Sequence, residues 1–252
     1  MRKIIPLLAA VSAAALLFSA PARPASLDDQ QKKEIEQLVR DYLLQNPEIL
    51  REMSENLQAK ERVAEEQARG ATLKDNAEAI FKSAADPVAG NPKGDVTVIE
   101  FMDYNCGWCK KAVGEVAGIV ESDKNVKVVF KEFPIFGPGS EFAARAAIAA
   151  SKQGKYWDLH QALFKHDGPV NEEVTRQLAQ DVGVDMAKLE TDMQDKSVVE
   201  TIAANQALAQ AMAINGTPAF IVDDKVFPGF VQSEELVKAI ADVRANGGCK
   251  YC

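Results

Sequence analysis

The sequence predicts an α/β domain that carries a helical insertion and follows an N-terminal helical stalk. The apolar run Val96–Phe101 alternates as a buried strand does, and it leads directly into a Cys-x-x-Cys that opens a helix. Val126–Phe130 is a second Val-rich strand of the kind found in buried parallel pairs. Residues 141–213 are helical in pattern almost throughout, and residues 27–69 carry no strand signal. This order of elements predicts one α/β core interrupted by helices.

The remaining elements complete the predicted core. The turn-rich residues 86–94 mark its entry. Phe220–Val222 is a strand, residues 223–225 form a hairpin turn, and Val226-Phe227 is the partner strand. Ser233 is the expected N-cap of a last helix, which ends at Gly247-Gly248. The predicted helices of the insertion are residues 142–150, 156–164, 172–182, 186–193 and 198–212.

The Cys-x-x-Cys consists of Cys106 and Cys109, with Gly107 and Trp108 between them. The N–H groups of a first helical turn are unpaired and the helix dipole is positive there, so a Cys106 thiolate is stabilised. Cys109 lies one turn further on the same face, which suits a reversible disulfide. Half of a zinc site is the alternative, but a lone pair after a strand is typical of a redox motif.

The expected chemistry is exchange through a mixed disulfide. Cys106 is the nucleophile, and Cys109 resolves the intermediate. Trp108 and Gly107 tune the pair. Because no His lies between the cysteines, the Cys106 pKa is expected below the usual value of about 8.5 but well above the extreme near 3.5.

The run Val98–Cys109, together with Gly216–Phe220 far downstream, resembles the DsbA family of thioredoxin-fold thiol–disulfide oxidoreductases. The resemblance covers about residues 87–245. It implies a thioredoxin fold with a helical insertion, protein substrates and a membrane redox partner that resets the cysteine pair. Neither a cofactor nor a metal is predicted. The Gly-Trp pair implies a weaker oxidant than DsbA itself.

The resemblance also assigns a role to Glu100, six residues before Cys106. The family places a buried acid there as the proton acceptor for the resolving cysteine, here Cys109. A buried carboxyl has a raised pKa, which suits proton transfer near neutrality. The alternative is that Glu100 faces solvent at a strand edge.

Thr217-Pro218 matches the cis-proline loop that faces the cysteine pair in this family. Such a loop exposes backbone groups that pair with an extended substrate peptide, and Trp108 is grouped with it as a substrate-binding residue. The alternative is an ordinary trans turn before a strand. DsbA has Val before this proline, so Thr217 resembles the disulfide isomerases and ScsC-like proteins more closely.

The first residues predict a signal peptide. Arg2-Lys3 is a basic segment, Ile4–Phe18 is an apolar segment too short for a comfortable membrane span, and Ala20–Ala22 is a small-x-small cleavage site, with Ala25 a later alternative. A membrane anchor is the alternative, but no second apolar run follows. Export to an oxidising compartment such as the periplasm fits the cysteine chemistry.

Charge argues against a nucleic-acid partner. The net charge is −8, and removing residues 1–22 makes it −10, because 27 basic residues then face 37 acidic ones. A basic nucleic-acid footprint is therefore absent from the sequence.

Only four cysteines are present, all in Cys-x-x-Cys pairs, which leaves none for a separate structural disulfide.

The stalk has a narrow apolar stripe broken at Asn46-Pro47, where Asn46 is the expected N-cap of the second helix. Gly70 is expected to loosen the chain before another short helix. The stripe either packs onto its own chain or pairs with other copies, and self-association is favoured. The segment resembles the N-terminal helices of ScsC-like proteins. This resemblance implies a homo-oligomer, and specifically a trimer. The stripe comprises Ile35, Leu38, Val39, Tyr42, Leu43, Leu50, Met53, Leu57 and Ala64.

A second Cys-x-x-Cys, Cys249 to Cys252, ends the sequence after two glycines. Three interpretations are open, in order of preference: a tail disulfide without a task, an auxiliary pair that exchanges with Cys106, and capture of a soft metal such as Cu(I). A zinc site built from all four thiols is a further, less favoured option. The two histidines, His160 and His166, are expected to be core or surface residues.

The predicted organisation has four parts: residues 1–22 as signal peptide, 27–84 as helical oligomerisation segment, 85–247 as catalytic domain and 248–252 as Cys-x-x-Cys tail. The predicted function is oxidation or isomerisation of disulfides in unfolded or misfolded proteins. The rival hypothesis is a periplasmic protein that sequesters metal such as copper through its thiols or acts as a scaffold. Peroxidase activity is a weaker third hypothesis.

Overall fold

The computed structural model describes residues 27–252, so the predicted signal peptide lies outside the described part of the chain. Two compact units divide between Lys60 and Glu61. The division lies earlier than the predicted boundary after residue 84. The physical reason is that Leu73, Ile80 and Phe81 are buried in the core of the second unit.

The stalk in the first unit consists of helix α1 (Asp29–Gln45) and the first part of helix α2 (Glu48–Asp75). α1 begins with a capping box between Asp28 and Gln31. Asn46 and Pro47 separate the helices, as predicted. The Asn46 side chain, however, donates to the Tyr42 carbonyl at 2.8 Å, so it closes α1 instead of capping α2.

The predicted break at Gly70 is wrong, because α2 continues through that residue to Asp75. A single interior glycine costs a helix only about 1 kcal/mol, which the burial of Leu73 in the next turn offsets. A short helix, α3 (Ala77–Phe81), follows and confirms the predicted one.

The second unit is built on a five-stranded sheet in the order β1-β3-β2-β4-β5. Its strands are β1 (Val88–Gly90), β2 (Val96–Met102), β3 (Val126–Glu132), β4 (Ala219–Val222) and β5 (Lys225–Pro228). β2 and β3 pair in parallel, and the other pairs are antiparallel. The edge strand β1 was not predicted, because its three residues lie in a turn-rich stretch.

The remaining helices confirm the predicted arrangement. They are α4 (Gly107–Ser122), α5 (Pro138–Ser151), α6 (Tyr156–Lys165), α7 (Glu172–Asp181), α8 (Met186–Met193), α9 (Lys196–Ala211) and α10 (Ser233–Ala245). Helices α5 to α9 form the insertion between β3 and β4. The N-cap of α10 is Gln232 and not Ser233, whose N–H donates to the Glu115 carboxylate at 3.0 Å.

The two faces of the sheet carry separate cores, as the alternation of a strand requires. Val98 and Met102 of β2 share one core with Cys106 and Cys109. Ile99 of β2 belongs to the other core, which includes residues of α2, α3 and α9. Helix α4 therefore packs against the face of the sheet that carries the even-numbered residues of β2. Among residues 27–252, no helix combines the length and apolar character that a membrane crossing requires.

Candidate active site

Cys106 lies where the loop after β2 becomes helix α4. It is the N-cap residue of α4, and its Sγ accepts the Cys109 N–H at 3.4 Å. Cys106 keeps 4% of its surface exposed, whereas Cys109 is fully buried. The structure thus brings the two predicted cysteines together, and Cys106 is the more exposed of the two.

The two thiols have opposite pKa shifts. The Cys106 pKa is lowered to about 6, chiefly by a hydrogen bond from the Cys109 side chain and further by Thr217 and the backbone N–H groups of α4, against a raising effect of burial. The Cys109 pKa is raised, first by burial and then by its hydrogen bond to Cys106 and the charge of Glu100. At neutral pH the reduced pair therefore holds a thiolate at Cys106 and a thiol at Cys109.

The loop before β4 faces Cys106. The Thr217-Pro218 peptide bond is cis, as the resemblance implied. When Cys106 is protonated, its thiol donates to the Thr217 carbonyl at 3.1 Å. The buried Thr217 hydroxyl has no other hydrogen-bond partner among the described residues, and it is the Thr217 donor that lowers the Cys106 pKa.

Glu100 is buried in the central strand β2, between Phe130 of β3 and Phe220 of β4. The alternative of a solvent-facing strand edge is therefore wrong. Burial, and then the charge of Cys106, raises the Glu100 pKa to about 8. By strand alternation its side chain lies on the same face of the sheet as α4.

Asp103, which the sequence analysis did not select, organises the turn between β2 and α4. Its buried carboxylate accepts the Asn105 N–H at 2.7 Å, the Ser140 hydroxyl at 2.7 Å, and the N–H groups of Ile135 and Phe136 at 2.7 and 3.0 Å. The bond to the N–H two residues on is an Asx turn, and an Asp directly after a buried strand is the signal that could have found it.

Two further contacts join the cysteine turn to the helical insertion. The Asn105 side chain accepts the Val170 N–H at 2.7 Å and donates to the Val170 carbonyl at 2.9 Å. The Lys110 ammonium donates to the carbonyls of His166 and Gly168 at 2.9 and 2.8 Å. The insertion therefore holds the residues on both sides of the cysteine pair.

His160 is a buried core residue, as expected. Its Nδ1 lies 3.2 Å from the Tyr104 hydroxyl, which donates to Glu132 at 2.9 Å. The Tyr156 hydroxyl donates to the same Glu132 oxygen at 3.0 Å. Burial raises the Glu132 pKa well above its ordinary value and lowers the His160 pKa to about 3, so His160 is neutral at pH 7.

Exposed aromatic and aliphatic side chains lie at the cysteine turn, to which Trp108 belongs and where the Ile135 and Phe136 N–H groups bond to Asp103. Trp108, Ile135 and Phe136 are all more than a third exposed. The Trp108 ring lies 5.6 Å from the Phe230 ring, and the Lys111 ammonium lies 4.2 Å from the Trp108 ring centre. Apolar side chains beside an accessible thiol offer contacts to the apolar residues of an unfolded peptide.

The second cysteine pair lies at the opposite end of β2. Cys249 and Cys252 form a disulfide, and the Cys252 sulfur accepts the Thr97 N–H at 3.0 Å. The five residue-to-residue steps from Thr97 to Met102 alone span roughly 16 Å. Exchange with Cys106 of the same chain and a zinc site of all four thiols are therefore both wrong. Among residues 27–252, no cluster of three or more His, Cys, Asp or Glu side chains is arranged to hold a metal ion.

An accessible low-pKa cysteine, a buried partner one helical turn away and a facing cis-proline loop define the class of thioredoxin-fold thiol–disulfide oxidoreductases. Residues 97–241 match the DSBA-like thioredoxin domain, and residues 31–64 match the N-terminal domain of copper resistance protein ScsC. The chain belongs to the DSBA-like thioredoxin family, as the resemblance implied.

Solved structures support the assignment. A thioredoxin-like oxidoreductase from Silicibacter pomeroyi DSS-3 is 47% identical and superimposes with a TM-score of 0.65, covering 67% of this chain and 97% of that one. BcfH from Salmonella enterica Typhimurium is 31% identical with a TM-score of 0.73, covering 84% of this chain and 95% of that one.

Curated relatives include disulfide bond formation protein D of Bacillus subtilis (strain 168), which is 30% identical over 166 residues, or 61% of this chain and 75% of that protein. The Na(+)/H(+) antiporter NhaA 1 of Salinispora arenicola (strain CNS-205) is 28% identical over 163 residues. That match covers 64% of this chain and 25% of the antiporter, so the chain spans about a quarter of the length of this relative.

Proposed function

We propose that this protein is an exported thiol–disulfide oxidoreductase that oxidises or isomerises disulfides in protein substrates through Cys106 and Cys109. The observation that carries the proposal is the division of the pair into a Cys106 thiolate, which has a pKa of about 6 and keeps a small exposed surface, and a fully buried Cys109 thiol one turn away. A stabilised thiolate is a good leaving group, so the oxidised pair readily takes electrons from a substrate dithiol.

The oxidation begins when a substrate thiolate attacks the Cys106 sulfur of the Cys106–Cys109 disulfide. A mixed disulfide forms, and Cys109 leaves and takes up a proton. Glu100, whose pKa of about 8 keeps it protonated at pH 7, supplies that proton and recovers it when Cys109 is oxidised again. A second substrate thiolate then attacks the mixed disulfide and releases Cys106 as thiolate, so the substrate loses two electrons and the enzyme pair gains them.

Substrate binding is assigned to the cis-proline loop and Trp108. The Thr217 carbonyl lies 3.1 Å from the Cys106 sulfur, so a substrate cysteine that reaches Cys106 passes along the backbone of Thr217-Pro218. Exposed Trp108 adds apolar contact. These features support an unfolded or misfolded protein segment as the substrate. Membership of the DSBA-like family supports the further proposal that a membrane redox partner resets the pair and that the protein acts in the periplasm.

The proposal is tested by mixing the oxidised protein with a reduced dithiol peptide. We expect one peptide disulfide to form for each Cys106–Cys109 pair that becomes reduced, as counted by thiol alkylation and mass spectrometry. The same protein should also reduce insulin when supplied with a dithiol reductant. Failure of the pair to exchange in either direction would exclude the function.

Glu100→Gln is expected to slow formation and reduction of the Cys106–Cys109 disulfide by roughly 10²-fold, because the buried amide cannot donate or accept the Cys109 proton. The fold should persist, since Gln has nearly the same shape. Stopped-flow Trp108 fluorescence would measure the rates of disulfide formation and reduction. The pH range of about 6 to 9 is chosen because the wild-type rates should change across the Glu100 pKa of about 8. Identical pH profiles for the two proteins would remove Glu100 from the mechanism.

Sequestering of metal such as copper, or scaffolding, stays a prediction. Residues 31–64 match a domain that is named after a copper resistance protein, and this match supports the copper hypothesis. A metal-sequestering protein should purify with metal in stoichiometric amount, whereas the enzyme should interconvert its dithiol and disulfide reversibly. Elemental analysis of the purified protein distinguishes them.

A further inference from the structure

The Cys249–Cys252 tail is held against the domain by specific contacts. The Lys250 N–H donates to the buried carboxylate of Asp223 at 2.7 Å, and the Tyr251 ring stacks on Phe81 with 5.9 Å between centroids. The disulfide itself is only half buried. We propose that Cys249–Cys252 is a second thiol–disulfide exchange site, which reacts with thiols from outside its own chain.

The two sulfurs lie in different surroundings. β4 ends where Val222 pairs with Val98, so the Thr97 N–H has no strand partner on that side and donates to the Cys252 sulfur instead, at 3.0 Å. A backbone N–H aimed at a sulfur stabilises its thiolate. Cys252 is therefore the sulfur that carries negative charge more easily.

Cys249 faces a carboxylate. Its sulfur lies 3.6 Å from Asp223 Oδ1, which disfavours a thiolate and favours a thiol that donates to the carboxylate. The Lys250 ammonium lies 3.8 Å from Asp223 Oδ2 but is bonded more closely to Asp224, so it offsets the Asp223 charge only in part. The Cys252 N–H also donates to the Cys249 sulfur, at 3.1 Å. This contact lies within the ring that the Cys249–Cys252 disulfide closes, so the disulfide itself maintains it.

These surroundings give the exchange a direction. An external thiolate attacks the Cys249 sulfur, the Cys249–Cys252 bond breaks, and Cys252 leaves as the better-stabilised thiolate. A second external thiolate attacks the mixed disulfide, releases Cys249 and leaves with the first as a disulfide. The tail gains two electrons and two external thiols lose them. The external thiol is either a small thiol or the active-site dithiol of a second copy, since Cys106 of the same chain is out of reach.

The test uses the full chain with Cys106→Ala and Cys109→Ala, so that only the tail pair reacts. One sample receives glutathione, and another receives the reduced C249A/C252A protein, whose active-site dithiol is intact. Trypsin cuts after Lys250 and places Cys249 and Cys252 on different peptides. We expect the tail to open in at least one sample, and the sample that opens identifies the source of the thiol. A tail that stays closed in both, but opens once the chain is unfolded in denaturant, would overturn the proposal.

The direction is tested by acid-quenching the glutathione reaction early. Each pKa unit between the leaving thiols should favour the mixed disulfide on Cys249 by roughly threefold. Asp223→Asn should move that ratio toward one, and by more than Asp224→Asn, which keeps the Asp223 carboxylate and only releases Lys250 toward it. Wild-type protein gives the same two peptides, since Cys106 and Cys109 fall on another tryptic peptide. Equal labelling in wild type, or equal effects of the two variants, would overturn the assigned sulfur roles.

Discussion

In a C249A/C252A background, which removes the tail pair, replacing Cys106 with alanine is expected to reduce dithiol-peptide oxidation and insulin reduction to the uncatalysed rate, because only the buried Cys109 thiol then remains. Cys109→Ala should instead accumulate mixed disulfides with substrate, because Cys106 can still attack and the resolving thiol is missing. Non-reducing electrophoresis after acid quenching, with mass spectrometry of the adducts, measures both results.

The control for this pair of variants is folding. Cys106 and Cys109 both contribute to the core, so each variant should be compared with wild type by near-ultraviolet circular dichroism before its activity is interpreted. A folded Cys106→Ala protein with full exchange activity would show that the nucleophile is misassigned. Stable adducts formed by Cys106→Ala and not by Cys109→Ala would show that the two roles are reversed.

We propose that the stalk pairs with other copies of the chain, and replacing Leu38 and Leu50 with glutamate is expected to convert the resulting oligomer into monomers. These side chains are 69% and 62% exposed in the single chain. Tyr42, Met53 and Leu57 are exposed to a similar degree. An apolar stripe on a helix surrounded by charged residues gains about 2 kcal/mol for each leucine that another copy covers. Light scattering at micromolar concentration measures the change.

The stalk variant also tests a link to activity. Several active sites held together can engage one misfolded chain repeatedly, which raises their effective concentration without new contacts. The monomeric variant should therefore keep dithiol-peptide oxidation and lose scrambled-disulfide isomerisation. Gln37→Glu with Gln58→Glu adds the same charge outside the stripe and should change neither property. A wild-type monomer would exclude self-association, and a monomeric variant that isomerises normally would separate assembly from function.

The elements around the active site were predictable because their signals are local. The apolar alternation of Val96–Phe101, the Cys-x-x-Cys and the Thr217-Pro218 dipeptide each lie within a few residues. The burial of Glu100 followed from the resemblance. The helical insertion was predictable because its helices carry clear periodicity over 8 to 16 residues each.

What the sequence did not predict depends on contacts between distant segments. Asp103 bonds to Ile135 and Ser140, more than thirty residues away, and no spacing along the chain reveals that. The contacts that fix the tail were not predicted, because two glycines precede it and its partners Thr97 and Asp223 are remote in the sequence. The stalk boundary was placed too late for the same reason, since Leu73 is a helical residue whose burial depends on strands and helices that follow it.

The pH dependence of Cys106 alkylation in the reduced protein tests the central claim most directly. A pKa of about 6 means that the thiolate population, and with it the rate of reaction with iodoacetamide, rises through pH 6 and levels off above it. Cys109 should stay unlabelled up to about pH 9, because burial holds it as a thiol. Fragmentation of the tryptic peptide that contains both cysteines assigns each label. A half-maximal rate near pH 6 at Cys106 alone is the predicted result, and parallel labelling of both cysteines with a midpoint near the ordinary value of about 8.5 would contradict it.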